Sequence, residues 1–179
     1  MKIAFVGKIC SGKTWCVDYL NEKSGGEFYV TRFAKMVKKI ARELFFMREK
    51  DRNLLQQIGT KMREIHPDVY ANYVIEECRG REMCLLDDAR YVNEIQALKE
   101  DGWTLVKLDI SSTLQRERIV KCYPYTYKDH LSRLTHESET QQDLVDGDIY
   151  DYIINNDKDD IINCLDNIYD ELRRGGDRT

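Results

Sequence analysis

The sequence predicts an α/β protein of three layers, α/β/α, with helices on both faces of a five-stranded parallel sheet. Three observations predict it. An apolar run at the N-terminus turns through a glycine loop into a helix, strand and helix patterns alternate along nearly the whole chain, and an acidic pair, Asp87-Asp88, ends an internal apolar run. The 179 residues suit a single domain, 1–179, carrying a helical lobe and a lid, with no second independent domain.

Ile3-Ala4-Phe5-Val6 reads as a buried strand, and Gly7-Lys8-Ile9-Cys10-Ser11-Gly12-Lys13-Thr14 fits G-x-x-x-x-G-K-[ST] at every fixed position. The spacing has a chemical reason. Glycines let backbone N–H groups curl around phosphate oxygens, and the following helix adds unpaired amides and the positive end of its dipole. Lys13 is placed to reach the outer phosphates and the Thr14 hydroxyl to ligate Mg²⁺, with Gly7, Cys10, Ser11 and Gly12 completing a nucleotide-phosphate loop.

A helix follows over 14–20 and breaks at Gly25-Gly26, before a strand at 27–31 rich in aromatic and β-branched residues. Met36, Val37, Ile40, Ala41, Leu44 and Phe45 mark an amphipathic helix over 34–46, and the same spacing recurs over 51–65. Pro67 then opens a third helix over 68–77. A right-handed crossover needs one helix, so 33–79 is predicted as a helical insertion over the carboxyl edge of the sheet, where doubly wound folds bind ligands. The strand at 83–86 ends in Asp87-Asp88-Ala89-Arg90, and a carboxylate there, beside a phosphate loop, can hold Mg²⁺ directly or through water.

A helix over 92–99 stops near Gly102, a strand covers 103–110, and Ser111 or Ser112 caps a helix running to about residue 121. Periodicity then disappears over 122–142, which holds Pro124, three tyrosines, His130, His136, Lys128 and Arg133; this stretch is predicted as a structureless functional loop or lid. A strand at 150–154, the turn Asn155-Asn156-Asp157 and a helix over 161–172 close the chain, with 173–179 expected to fray. The sheet core is thus assigned to 1–32, 80–121 and 143–173.

Lys and Arg number 28 against 32 Asp and Glu, a net charge of −4 with the signs interspersed, which argues against a nucleic-acid footprint. Cys10, Cys16, Cys78, Cys84, Cys122 and Cys164 show no C-x-x-C pairing, and several sit in apolar segments, as free thiols of a reducing compartment would. No apolar run approaches the ~20 residues that span a bilayer. The first strand begins at once, with no room for a signal peptide, so a soluble cytoplasmic protein is expected.

The N-terminal phosphate loop, the insertion after strand two and the lid after strand four resemble the nucleoside monophosphate kinase group of P-loop kinases. Within it the chain is most similar to the deoxynucleoside monophosphate kinases of bacteriophages and other large DNA viruses. The phrases that carry the likeness are Phe33-Ala34, Asp51-Arg52 with Leu54-Leu55-Gln56-Gln57-Ile58-Gly59 and Arg63, Pro67-Asp68, Asp88-x-Arg90-x-x-Asn93-Glu94, His136-x-Ser138-Glu139 and Tyr152-Ile153-Ile154-x-Asn156-Asp157.

The resemblance implies transfer of the ATP γ-phosphoryl group to a nucleoside monophosphate with Mg²⁺, by positioning and positive charge. It assigns Lys13 to the β and γ phosphates, Thr14 to the metal, and Asp87 or Asp88 to the metal shell, with the choice between them open. Asp88 and Arg118 join Lys13 as the implied catalytic set, Arg118 packing on the ATP base or touching its phosphates. Arg90 would grip the acceptor phosphate, the alternative being an ion pair with Glu94. Arg63 would be a second grip or a solvated helix residue, and Phe33 would stack on the acceptor base or belong to the core. The clamping charge of the lid falls to Lys121, Lys128 or Arg133, with the choice among them open, and Asn156 lies in the turn where this fold places the ATP base. His130 and His136 have no further ligand at metal spacing and read as solvated lid residues.

The same fold also serves dephospho-coenzyme A and phosphomevalonate as acceptors. A GTP-driven switch would need Asn-Lys-x-Asp after a strand, whereas this chain has Asn155-Asn156-Asp157-Lys158. Small-molecule nucleotides are the expected partners, with neither nucleic acid nor membrane, and the chain is read as a monomer or homodimer.

Overall fold

The computed structural model describes residues 1–132, 134–135 and 137–176. Strands β1 (Lys2–Gly7), β2 (Tyr29–Thr31), β3 (Cys84–Ala89), β4 (Thr104–Asp109) and β5 (Tyr152–Asn155) form one parallel sheet in the order β2-β3-β1-β4-β5. β1 is therefore central, and the loop that leaves its carboxyl end lies between the ends of β3 and β4. That position is where a doubly wound sheet opens a crevice for ligands.

The strand alternation divides the core in two. Ile3 and Phe5 face one side, with α1 (Lys13–Lys23) and α9 (Ile161–Gly176) closing over them through Val17, Leu20, Leu165 and Ile168. Ala4 and Val6 face the other, against α4 (Val69–Glu77) and α5 (Val92–Glu100) through Val74, Ile95 and Leu98. Both strand faces are fully buried, which is why β1 reads as continuous apolar sequence rather than as an alternating pattern.

The helices α2 (Phe33–Leu44), α3 (Arg52–Ile65) and α4 occupy the predicted insertion, and Asp51 caps α3 by accepting the Leu54 N–H at 3.0 Å. α2 ends two residues before the predicted limit of 46. Phe46 turns to φ 54° and the Met47 N–H closes on the Ala41 carbonyl, leaving Phe45 and Phe46 exposed. Ser111, not Ser112, caps α6 (Ser112–Cys122), its hydroxyl accepting the Leu114 N–H.

The lid corrects the prediction most. The stretch expected to be structureless holds α7 (Tyr127–Ser132), α8 (Glu137–Thr140) and a 3₁₀ turn at Gln141–Leu144. Such short pieces span one turn or little more, too few residues to reveal a 3.6 period in the sequence. α9 likewise runs past its predicted end at 172, to Gly176. Among the described residues no helix is long and apolar enough to cross a membrane.

Glu77 locks the insertion to the sheet edge. Its carboxylate accepts from Thr31 Oγ1 of β2, Lys35 Nζ of α2 and Tyr73 Oη of its own helix. Burial pushes its pKa up, but these bonds and one from Tyr29 outweigh burial and hold it at about 2. A folded pKa below the unfolded 4.5 stabilises the fold above pH 4.5, and that stability is lost as pH falls toward 2. The ceiling is about 3 kcal/mol, and water around the half-exposed Lys35 ammonium reduces it. Glu77→Gln should lower the melting temperature at pH 7 by about 4 °C or more. In thermal melts across pH, the gap to the parent should close between pH 4.5 and 2.5; a constant gap would refute the charge account.

Candidate active site

The phosphate loop is built by close approach. A Cβ on Gly7 would stand 2.7 Å from both the Leu108 carbonyl and Ser11 Oγ, and one on Gly12, at φ 103°, 2.8 Å from Asn156 Nδ2. Only glycine fits either place. Asn156 Nδ2 donates to the Ser11 carbonyl at 2.6 Å, so the residue predicted near the ATP base braces the loop from behind. Lys13 Nζ donates to the Gly7 and Lys8 carbonyls at 2.6 and 2.8 Å. Burial, and then the charge of Arg90, push its pKa down to about 8, so it is still mainly a cation at neutral pH.

The two carboxylates at the end of β3 have separate duties. The register of β3 slips by one residue against β1 between Ala4 and Val6, a bulge at the acidic pair. Asp87 accepts the Thr14 hydroxyl at 2.7 Å and the Arg32 Nε at 2.6 Å, with Arg32 Nη2 at 3.2 Å. Burial raises the Asp87 pKa, yet the Arg32 and Thr14 bonds, with the charges of Arg32 and Lys13, hold it below the ordinary value. Asp88 instead spends both oxygens on the N–H groups of Phe33 and Ala34, each at 2.9 Å, satisfying orphan donors at the start of α2. Burial pushes its pKa up to about 6. Of the pair, Asp87 is the one beside Thr14.

Beyond the phosphate loop, Arg90 Nη1 pairs with Glu139 Oε1 of α8, and Glu139 Oε2 accepts the Ile9 N–H of that loop at 2.9 Å. The predicted alternative, an Arg90–Glu94 side-chain pair, does not form. Glu94 Oε2 takes the backbone N–H groups of Arg90 and Tyr91, while Oε1 pairs with Arg63 Nη2 at 2.7 Å. The Arg63 guanidinium lies 4.2 Å from the Tyr91 ring and 4.8 Å from that of Tyr70, so it is held rather than solvated.

Phe33 is buried in the core beside Tyr70 and Val74 of α4, and it also lines a cavity of about 560 Å³. Arg118 Nη1 approaches the Cys10 carbonyl at 3.4 Å, and Gln115 Nε2 the Ile9 carbonyl at 3.1 Å. Lys121 and Lys128 are exposed. Arg133 and His136 lie outside the described residues. His130 stacks on Tyr123 at 3.9 Å and meets Arg52 Nη2 at 3.0 Å, tying lid to insertion instead of standing in solvent.

Two cavities meet here. One, of about 560 Å³, is walled by Phe33, Val37, Leu55, Arg63 and Tyr91; the other, of about 480 Å³, holds Lys13, Thr14, Arg32, Asp87 and Arg118. Ala34, Lys38, Asp88 and Arg90 line both. Among the described residues no three His, Cys, Asp or Glu side chains gather as a metal cage. Thr14 and Asp87 nevertheless fit Mg²⁺, which binds through one or two protein oxygens and keeps the rest for phosphates and water.

Sequence reasoning missed Arg32 and the tasks of Glu94 and Glu139. For Arg32 a signal existed, its position at the carboxyl end of β2 and thus at the ligand edge. Glu139 stood in a quoted phrase, but nothing in the sequence tied it to a residue 49 positions away.

No family model matches the chain, and no curated protein matches it in sequence. Solved structures do match in fold. The shikimate kinase of Aquifex aeolicus is 16% identical, with both chains covered over 100% and a TM-score of 0.52. A gluconokinase of Sinorhizobium meliloti is 15% identical over 97% of this chain and 96% of its own, with a TM-score of 0.59. The shikimate kinase of Acinetobacter baumannii, in complex with shikimate, is 16% identical over 97% and 93%, with a TM-score of 0.56. The chain shares the α/β fold of these kinases.

Proposed function

We propose that this protein transfers the γ-phosphoryl group of Mg·ATP to the phosphate of a nucleoside monophosphate, deoxyribonucleotides included. The observation that carries the reading is the junction of the two cavities at Arg90, one side a phosphate loop and the other an aromatic-walled chamber wide enough for a nucleoside. Arg63 stands in the wall of that chamber, so two guanidinium forks are available to an acceptor phosphate.

Lys13 and the loop amides bind and orient the donor phosphates, and Lys13 leaves the Gly7 and Lys8 carbonyls to do so. Thr14 and Asp87 would hold Mg²⁺, which supplies charge neutralisation to the donor. Arg32 keeps Asp87 ionised and aimed. Asp88 fixes the start of α2, and with it Phe33, against the chamber. Glu139 occupies two anion positions at once, a loop N–H and the Arg90 fork; a phosphate entering between them takes over both donors, and the lid carboxylate moves away.

A second reading changes the acceptor, favoured by the fold likeness to proteins named shikimate kinase and gluconokinase. Dephospho-coenzyme A and phosphomevalonate belong to the same class of alternatives. The test is Mg·ATP with each common ribo- and deoxyribonucleoside monophosphate, using Lys13→Ala protein as the blank. Diphosphate from one or a few of them is expected. If ATP binds and none is phosphorylated, the nucleotide reading fails, and shikimate, gluconate, dephospho-coenzyme A and phosphomevalonate are tried next.

A further inference from the structure

The phosphate loop carries a cysteine that the proposed reaction does not use. Cys10 sits at the crest of the loop at φ 62°, partly exposed, and its thiol is within hydrogen-bonding reach of the thiol of Cys122, the last residue of α6. Cys122 is exposed, and both line the phosphate cavity. A second thiol pair, Cys78 with Cys84, is sealed in the core with neither residue exposed. An oxidant from solvent therefore reaches the loop pair first.

We propose that Cys10 and Cys122 form a redox pair, which a small disulfide such as oxidised glutathione converts to an intramolecular disulfide that shuts the loop to nucleotide. The steps balance. The Cys122 thiolate attacks one sulfur of oxidised glutathione, the new S–S bond forms as the old one breaks, and one glutathione leaves and takes up a proton. Cys10 gives up its proton and attacks the Cys122 sulfur, releasing the second glutathione. Two protein thiols are oxidised, one disulfide is reduced, and a dithiol reverses the sequence. Burial pushes the Cys10 thiol up to about 11 and keeps it protonated, which leaves the first step to the exposed Cys122.

Closure acts on binding because an S–S bond is about 2.05 Å long, more than about 1 Å shorter than two thiols in contact. The loop crest or the end of α6 must move to close that gap. Phosphate cradles tolerate shifts of only about 0.5 Å. Arg118, one turn before Cys122, rests on the Cys10 carbonyl and is carried along. The inference needs only that the loop binds nucleotide, not that the acceptor is a nucleoside monophosphate.

The full chain is incubated with oxidised glutathione, digested without reduction and mapped, and Mg·ATP binding is titrated before and after. A Cys10–Cys122 linked peptide should appear, with ATP affinity lowered about tenfold or more and restored by dithiothreitol. Bound Mg·ATP should slow the cross-link, because coupling of two equilibria is reciprocal. Cys122→Ser, compared with its own reduced form, should keep its affinity through the same treatment. Cys122 fully glutathionylated with no linked peptide overturns the pair. A linked peptide with unchanged ATP affinity, or a reversible loss of affinity in Cys122→Ser, overturns the gate. The peptide map stands whatever the acceptor proves to be.

Discussion

Lys13→Ala should lower kcat for phosphoryl transfer by about 10²- to 10³-fold, the range for losing one preorganised group that stabilises transition-state charge. The residue is buried at the floor of the phosphate loop, and its ammonium is already desolvated and held by two carbonyls. Little reorganisation is then needed when negative charge arrives. The same bonds tie Gly7 and Lys8 to the start of α1, so the variant should also bind ATP more weakly. The decisive split is that kcat falls further than affinity. A kcat within tenfold of the parent, with ATP still bound, would remove Lys13 from the transferring group. Circular dichroism and a melting curve on the same protein exclude collapse of the loop as the cause.

What the sequence made legible was local. The glycine loop lies within eight consecutive residues, and its close contacts demand glycine wherever the chain goes next. The five strands announced themselves because both faces of the central ones are buried, giving unbroken apolar runs. The insertion was readable as a surplus of helices.

The site's pairings were not readable, since each joins residues far apart. Arg90 meets Glu139 across 49 positions and Arg63 meets Glu94 across 31. The different partners of Asp87 and Asp88, Thr14 for one and the start of α2 for the other, lie beside a one-residue register slip that no periodicity encodes. Asn156 has the polar character of a turn residue, and its duty under Ser11 follows from the adjacency of β1, β4 and β5 alone. The short lid helices escaped because their order comes from tertiary contacts, such as His130 against Tyr123 and Arg52.

Arg90→Ala should raise the KM for the acceptor by about 10²-fold, the loss of a charge-assisted, forked contact worth about 2–3 kcal/mol. kcat should fall less, because on the proposed function the fork would hold the acceptor phosphate both before and during transfer. The pairing with Glu139 gives the prediction a second edge. That carboxylate holds Arg90 and the Ile9 N–H, and on the proposed function it would compete there with the acceptor and with a phosphate oxygen. Glu139→Gln weakens the competitor while keeping its shape, so acceptor and ATP should both bind more tightly to it than to the parent. If Glu139 were instead a scaffold that aims Arg90, the same substitution would raise KM as the Arg90 variant does. The two signs cannot coexist, and steady-state kinetics on the single and double variants reads which one holds. Unchanged acceptor KM in Arg90→Ala would take Arg90 out of the site, whatever Glu139 does.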